Sequence, residues 1–431
     1  MDLLTANDRA GVYPASYYAA TATPLDAFPA AKGAITCDVC VVGGGYSGLS
    51  AALHLAQAGY DVVLLDAQRV GFGASGRNGG QVGVGQRIGQ DDLEDIVDLP
   101  TARALWELSL DSVDLVKDLI EDNDIECGWA DGIIEADHRA KFVPHSHAYA
   151  EKLRTEYGYD KIKAIGKDEM RSLVGSRAYY GGTLDMGGGH LHPLRYALGL
   201  ARAARDAGVR IFEQSKVTQV TENANIITQD ADIDAKFVVL GCNGYLGALN
   251  TNVAQRVMPI NNFIAATQPL SDSQARDLIR DNHAVADSKF VINYFRLSED
   301  NRMLFGGGES YGYKFPKDIA ATVRKPMLEI FPQLKDTRID YAWGGTLGIT
   351  MNRMPHFARI SDQVLSVSGY SGHGVAMATL GGKLAADAIM GQAEKFDTFA
   401  KVPSPRFPGG RRLRTPLLVL AMLWYSMRDK L

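Results

Sequence analysis

Residues Asp38 to Asp66 read DVCVVGGGYSGLSAALHLAQAGYDVVLLD, and the order is strand, tight turn, helix, strand. Val39, Val41 and Val42 lead into Gly43, Gly45 and Gly48 in GxGxxG spacing, and a second apolar run, Val62 to Leu65, ends on the acid Asp66. Each position has a physical reason. Gly43 lets the chain leave the strand sharply, Gly45 keeps side-chain atoms away from a pyrophosphate, and Gly48 lets helix and strand pack closely. The helix expected from Tyr46 to about Ala58 offers its free amides and positive dipole end to that phosphate. Asp66 is placed to accept hydrogen bonds from ribose hydroxyls, which favours a dinucleotide without a 2'-phosphate.

The glycine-rich stretch Ala67 to Gln86, AQRVGFGASGRNGGQVGVGQ, follows directly. Unusual dihedrals with a cation and amides among them suit a backbone wrapped around a flat ligand or a phosphate. Downstream, Thr101 to about Asp122 has leucines at helical spacing, Gly128 to Asp137 reads as a strand pair about Asp131-Gly132, and Phe142 to Tyr157 as a helix. His145 and His147, two apart, are expected on different faces of that helix as surface residues, and no metal site is expected. Gly181 to Arg195 is an extended glycine-rich piece opening a helix at Pro193. Residues 209–212 and 215–220 read as strands, and the apolar strand Lys236 to Leu240 enters another glycine turn, so the first sheet resumes after an excursion. Met258 to Ala358 alternates as antiparallel strands with one helix near Ile319 to Ile330. Val364 to Met390 repeats strand, glycine turn and apolar helix, presenting a second helix N-terminus.

At 431 residues the chain predicts two or three domains or one interleaved pair, and 46% hydrophobic with 22% charged residues is a soluble globular balance. The net charge of -5 gives no electrostatic case for nucleic acid. The first 34 residues have no basic start with an apolar core and read as an extended arm, so the cytoplasm is the expected location. Four cysteines make no disulfide framework; Cys37 and Cys40 sit on the first strand and, with Cys127 and Cys242, are expected to pack. In the tail, Arg411 to Leu431, the apolar run Leu417 to Tyr425 is nine residues, against about 20 for a helical span. It is expected to be a helix docked on this chain or a partner subunit, in a homo-oligomer, or else resting on lipid headgroups through Arg411, Arg412, Arg414 and Arg428.

The blocks VVGGGYSGLSAALHLA, GASGRNGGQ, GGGHLHPLRYALGLARAA, YAWGGTLGITMNRMPHF and GYSGHGVAMATLGGKLAADAI, with the Ser16-Tyr17-Tyr18 arm and the closing GGRRLRTPL, resemble FAD-dependent amine and amino-acid oxidoreductases of the D-amino-acid oxidase, glycine oxidase and sarcosine oxidase type. The resemblance covers essentially the whole chain. It implies an α/β (α+β) protein in which a glutathione-reductase-like FAD-binding domain, 35–100, 181–250 and 345–400, is interleaved with a substrate domain, 101–180 and 251–344, built on a large, mainly antiparallel sheet. The arm is then 1–34 and the tail helix 401–431.

Carried over block by block, the resemblance assigns FAD contacts to Gly43, Gly45, Tyr46, Ser47, Gly48, Asp66, Ser75, Gly76, Arg77, Asn78, Gly79, Gly80, Val217, Gly372, His373 and Gly374. Some relatives attach FAD through a cysteine in the substrate-domain region; Met258 to Ala358 has none, so non-covalent FAD is expected. The implied reaction is hydride transfer from the carbon beside an amine to flavin N5, imine hydrolysis, and reoxidation by O2 or another acceptor. A gamma-glutamylated diamine heads the expected substrates, and a simple amino acid or N-methyl amine is the alternative. His190, Tyr294, Arg296 and Trp343 are the substrate-chamber candidates, with Arg296 and Arg353 available to a carboxylate. No catalytic acid or base is assigned. A reductase using a pyridine nucleotide would need a second fingerprint, which Gly187-Gly188-Gly189 and Gly306-Gly307-Gly308 do not supply; a flavin-bearing protein without activity is the non-enzymatic rival.

Overall fold

The computed structural model describes residues 2–310 and 312–408. Among them, eight strands form one sheet around Gly33–Val42, which is flanked in parallel by Val62–Leu65 and Ala231–Leu240. Arg210–Phe212 extends one side, Val364–Ser368 and His356–Arg359 extend the other, and Gln219–Val220 with Asn225–Ile227 forms an antiparallel appendage. A strand flanked in parallel on both sides is buried on both faces, which is why Val39, Cys40, Val41 and Val42 form a continuous apolar run without alternation. The helices Tyr46–Gln57, Pro193–Asp206 and Gly374–Ile389 pack together beside this sheet.

The other sheet has nine strands, in the order Ile339–Ile349, Met258–Thr267, Met303–Ser310, Tyr294–Leu297, Ala284–Asp287, Ala130–Ala136, Gly182–His190 and Gln81–Val82, with Ile162–Ile165 also paired to Gly182–His190. All its pairs are antiparallel except Ala284–Asp287 with Ala130–Ala136. Alternation decides the two faces. Ile134, Phe263, Phe295 and Phe305 point to an outer core closed by the helices Ile319–Ile330, Asp272–Leu278 and Lys167–Leu173, while Ile133, Glu135 and Tyr294 point inward to a cavity.

Several expectations shift. Gly128 to Asp137 holds a single strand, Ala130–Ala136, not a strand pair: Gly132 has φ +94 and the register slips between Asp131 and Ile133, so the suspected turn is a bulge within a paired strand. Gly182–His190 belongs to the second sheet, so a boundary at 181 separates it from its partners. The helix Leu99–Asp122 buries Leu105, Leu108, Val113 and Val116 in the core shared with Gly374–Ile389, beside the first sheet. The arm is not an extended surface segment. It contains the helix Tyr17–Thr21, capped by Ser16, and buries Tyr17 and Tyr18. At the other end, residues 401–408 follow the helix Glu394–Ala400 as irregular chain, and the expected helix over 411–431 lies outside the described residues. No described helix is long and apolar enough to cross a membrane.

Candidate active site

The cavity between the two sheets has a volume of about 1160 Å³, above the range of about 300–1,000 Å³ usual for a single small ligand. One end is the glycine turn. Gly43 has φ +108, a conformation open mainly to glycine, and a Cβ on Gly48 would lie 1.8 Å from the Gly43 carbonyl oxygen. Gly45 is the N-cap of Tyr46–Gln57 and provides no side-chain cap, so the helix start opens on the cavity. The Tyr46 amide donates to Ser75 Oγ at 3.0 Å. Asp66 closes this end: its Oδ2 accepts from the Gly44 amide at 2.7 Å and its Oδ1 from the Gln68 amide at 2.7 Å. Desolvation raises its pKa to about 6.

Gly43, Gly45, Tyr46, Ser47, Asp66, Ser75, Arg77, Asn78, Gly79, Val217, Gly372, His373 and Gly374 all line the cavity. Gly48, Gly76 and Gly80 do not; they stand behind its wall, where a Cβ would meet the backbone oxygens of Gly43, Gly71 and Leu191. The Arg77 guanidinium is engaged by the protein: Nε donates to Phe72 O at 2.7 Å, and Nη1 pairs with Asp8 at 2.9 Å and reaches Gly344 O at 3.2 Å. Asn78 takes Gly80 N–H on Oδ1 and donates to Ala74 O and Ser75 O, so its amide holds the glycine loop in shape.

Further along, His373 caps Gly374–Ile389 without a side-chain bond to the helix, leaving a second helix N-terminus on the cavity. Its Nε2 lies 2.9 Å from Gly83 O, as a donor, and desolvation followed by the charge of Arg87 lowers its pKa to about 4. The imidazole is therefore neutral at physiological pH.

Of the four chamber candidates, Tyr294 lines the cavity. Its ring occupies the space over Gly79 and Gly306, where a Cβ would come within 2.7 and 2.1 Å of ring atoms, and its hydroxyl donates to Asn262 Oδ1. His190, Arg296 and Trp343 are buried in the wall and do not line it. Arg296 spends its guanidinium on Gly79 O, Leu297 O, Leu191 O and the Tyr18 hydroxyl. Trp343 Nε1 donates to Arg77 O at 3.0 Å, and His190 Nε2 to Asn282 O at 2.7 Å. Arg296 and Trp343 sit where Tyr18 of the arm and the glycine loop cover the sheet, and His190 pairs with Gln81 at the end of that loop. Arg353, the other arginine expected for a carboxylate, does line the cavity.

The floor of the chamber escaped the sequence reading. Ile133 pairs with Asp185 and Glu135 with Thr183 across Ala130–Ala136 and Gly182–His190. Directly opposed residues share a face, so Ile133, Glu135, Thr183 and Asp185 make one inward strip, continued by Asp137. Desolvation raises the pKa of Glu135, Asp137 and Asp185. His145 is exposed, as expected, and it also lines this end with Ser146 and Tyr149 from the helix Val143–Glu156. Cys37, Cys40 and Cys127 are buried, as packing requires, whereas Cys242 lines the cavity with its thiol pushed up to about 12 by burial.

Residues 38–388 match the family model described as FAD dependent oxidoreductase, DAO. The chain is 41% identical over 422 residues to gamma-glutamylputrescine oxidoreductase of Escherichia coli (strain K12), covering 97% of this chain and 99% of that protein. It is 39% identical over 418 residues to the probable oxidoreductase OrdL of Rhizobium meliloti (strain 1021), covering 96% and 97%. Among solved structures, glycine oxidase from Geobacillus kaustophilus superposes with TM-score 0.69 at 20% identity, over 83% of this chain and 95% of that one. L-Proline dehydrogenase from P. horikoshii gives 0.69 at 20%, over 85% and 97%. An oxidase and a dehydrogenase share the fold, so the fold leaves the electron acceptor open.

Proposed function

The chain belongs to the DAO family of FAD-dependent oxidoreductases, and from that premise we propose that it oxidises the CH–NH2 group of gamma-glutamylputrescine or a closely related amine, passes the electrons to O2, and forms H2O2. The observation that carries this reading is a single cavity joining the glycine cradle to a chamber floored by sheet residues. Near-full-length similarity to gamma-glutamylputrescine oxidoreductase supports the choice of amine.

The residues present fit FAD. The absent side chain at Gly45, the start of Tyr46–Gln57 with no cap from its own N-cap residue, and the fixed acid Asp66 suit a pyrophosphate and the hydroxyls of an adenosine ribose. Val217 lines the same end, and Gly372, His373 and Gly374 with the start of Gly374–Ile389 suit the other. When bound, FAD supplies a two-electron acceptor for the carbon–hydrogen bond beside the amine nitrogen. The start of Gly374–Ile389 would provide a dipole for negative charge at this end, while His373, neutral and with its Nε2–H held by Gly83 O, offers no imidazolium proton to compete. Tyr294, fixed between glycines and by Asn262, shapes the chamber beside the glycine loop. Overall, the amine, taken as its free base after loss of a proton to solvent, would with water and O2 give an aldehyde, ammonia and H2O2. With no cysteine from Met258 to Ala358, the cofactor is held without a cysteinyl bond.

The test is a panel of putrescine, glycine, sarcosine, D-amino acids and gamma-glutamylputrescine, with oxygen uptake, peroxide and ammonia measured. The glutamylated diamine should be the best substrate and peroxide should match oxygen consumed. Turnover of glycine, sarcosine or a D-amino acid in its place would overturn the substrate, and a reduced flavin that air does not restore would make the enzyme a dehydrogenase. Flavin should leave the protein on acid precipitation; flavin retained in the pellet contradicts non-covalent binding.

A further inference from the structure

The chamber floor holds more negative charge than oxidation of an amine requires. Register places Glu135 on the inward face directly opposite Thr183, two residues from Ile133, which opposes Asp185. Asp137 continues the strip, and all three acids line the cavity. Asp137 is 4% exposed, and its Oδ2 is buried without a hydrogen-bond partner among the described residues. A buried carboxylate oxygen left unpartnered is costly unless a ligand supplies the missing donor. Asp185 is oriented from below, its Oδ1 taking the Tyr159 hydroxyl and the Gly187 amide.

The other charged or titratable groups lining this end are Arg87, Lys289, His145 and Tyr149. Arg87 lies toward Gly372, whose added Cβ would stand 3.9 Å from its Nε, and Lys289 Nζ is 4.0 Å from Glu329. At this end of the cavity two cations face three carboxylates when all are ionised; Arg353 also lines the cavity, on the segment that follows Ile339–Ile349. Asp137 is buried, Asp185 half-buried and Glu135 exposed to the cavity, and desolvation raises the pKa of each, so a cation from the ligand would favour their charged forms.

We propose that Glu135, Asp137 and Asp185 form a subsite for a second, non-reacting ammonium at the far end of the substrate, so that the preferred amines carry a cationic group at both ends. This rests on the amine-oxidation reading and adds what selects the amine. A simple amino acid oxidase needs a cation for its substrate's carboxylate; here an acidic strip floors the chamber, and Arg87 and Lys289 at its edges serve a carboxylate only if the distal group also bears one.

The test uses the full-length FAD-loaded enzyme and three N-acylputrescines that differ only at the acyl end: 4-aminobutanoyl, which adds an ammonium, butanoyl, which is neutral, and glutaryl, which adds a carboxylate. Calorimetric Kd reads the subsite, and anaerobic flavin bleaching reads amine oxidation. The ammonium compound should bind at least about tenfold more tightly than the neutral one, since a charge-assisted hydrogen bond is worth roughly 1.5–3 kcal/mol and tenfold is 1.4. Glu135→Gln and Asp137→Asn should each shrink that preference severalfold, raising KM for the ammonium compound by a larger factor than KM for the neutral one. Equal affinity for the ammonium and neutral compounds in the wild type, or variants that weaken both alike, would overturn the subsite. Because the ranking is read on the wild type, a variant that fails to fold does not rescue it. Binding with the expected preference but without bleaching would instead remove the amine-oxidation reading.

Discussion

The glycine cradle and the chamber floor line the same cavity, yet they are built by opposite means. The cradle comes from one contiguous stretch, Asp38 to Asp66, in which a strand, a turn and a helix start place backbone groups on the cavity. The floor comes from Ile133 to Asp137 and Thr183 to Asp185, brought together by strand register alone. In the cradle the missing side chains matter; in the floor the side chains do. Backbone-built sites tolerate little at their glycines and much around them, whereas a side-chain floor can change its ligand without changing its fold.

The largest effect should fall on the cradle's hidden glycine. In Gly48→Ala the new Cβ meets backbone oxygen at 1.8 Å, so strand and helix must part; the loss should reach or exceed about 3 kcal/mol, read as a fall in Tm, with no flavin retained. Gly45→Val separates binding from folding, because its Cβ at 2.8 Å meets only Ser75 Oγ, which can rotate. A folded, colourless protein is expected, and a yellow one would place the pyrophosphate elsewhere.

Next come two neighbours on one strand. Ile134, 0% exposed, faces the outer core, and Ile134→Ala should cost about 2–5 kcal/mol in chemical denaturation. Ile133→Ala should cost less and instead raise KM for the amine, because Ile133 faces the chamber. Matching stability losses with unchanged kinetics would refute the assignment of faces.

A smaller effect concerns Asp66. Its folded pKa of about 6 lies above the ordinary 3.8, so the folded state binds more protons between these values. The apoprotein should lose stability as pH rises through that window. If Asp66 holds the ribose as proposed, the same ionisation makes it a full acceptor and FAD affinity should rise over that window. Asp66→Asn should flatten both trends, measured by thermal melts and flavin titration from pH 4 to 8. The smallest effect belongs to Lys395→Ala: its 2.9 Å pair with Asp111 is exposed at both ends, and about 0–1 kcal/mol is expected.

These contrasts explain what was readable in the chain. GxGxxG with its following helix, strand and acid is local, and so are the strand, turn and helix around Gly372 to Gly374; both could be found by spacing. Glu135 and Asp185 lie in GIIEAD and TLDMGGG, where nothing marks them until Ala130–Ala136 and Gly182–His190 are paired. Arg296 shows the converse failure. Its strand faces the cavity, but the glycine loop and Tyr18 from the arm cover that position, and the guanidinium bonds described go to Gly79 O, Tyr18, Leu191 O and Leu297 O. The bulge at Gly132 misled for a similar reason, since Asp-Gly is a turn signal and the paired strands around it are invisible in a single segment.

The most direct test of the whole account is anaerobic titration of the purified yellow protein with gamma-glutamylputrescine, followed by admission of air. Stoichiometric loss of flavin absorbance with release of ammonia, then return of colour with peroxide, is the predicted result. Absorbance unmoved by this amine but bleached by glycine or sarcosine would contradict it.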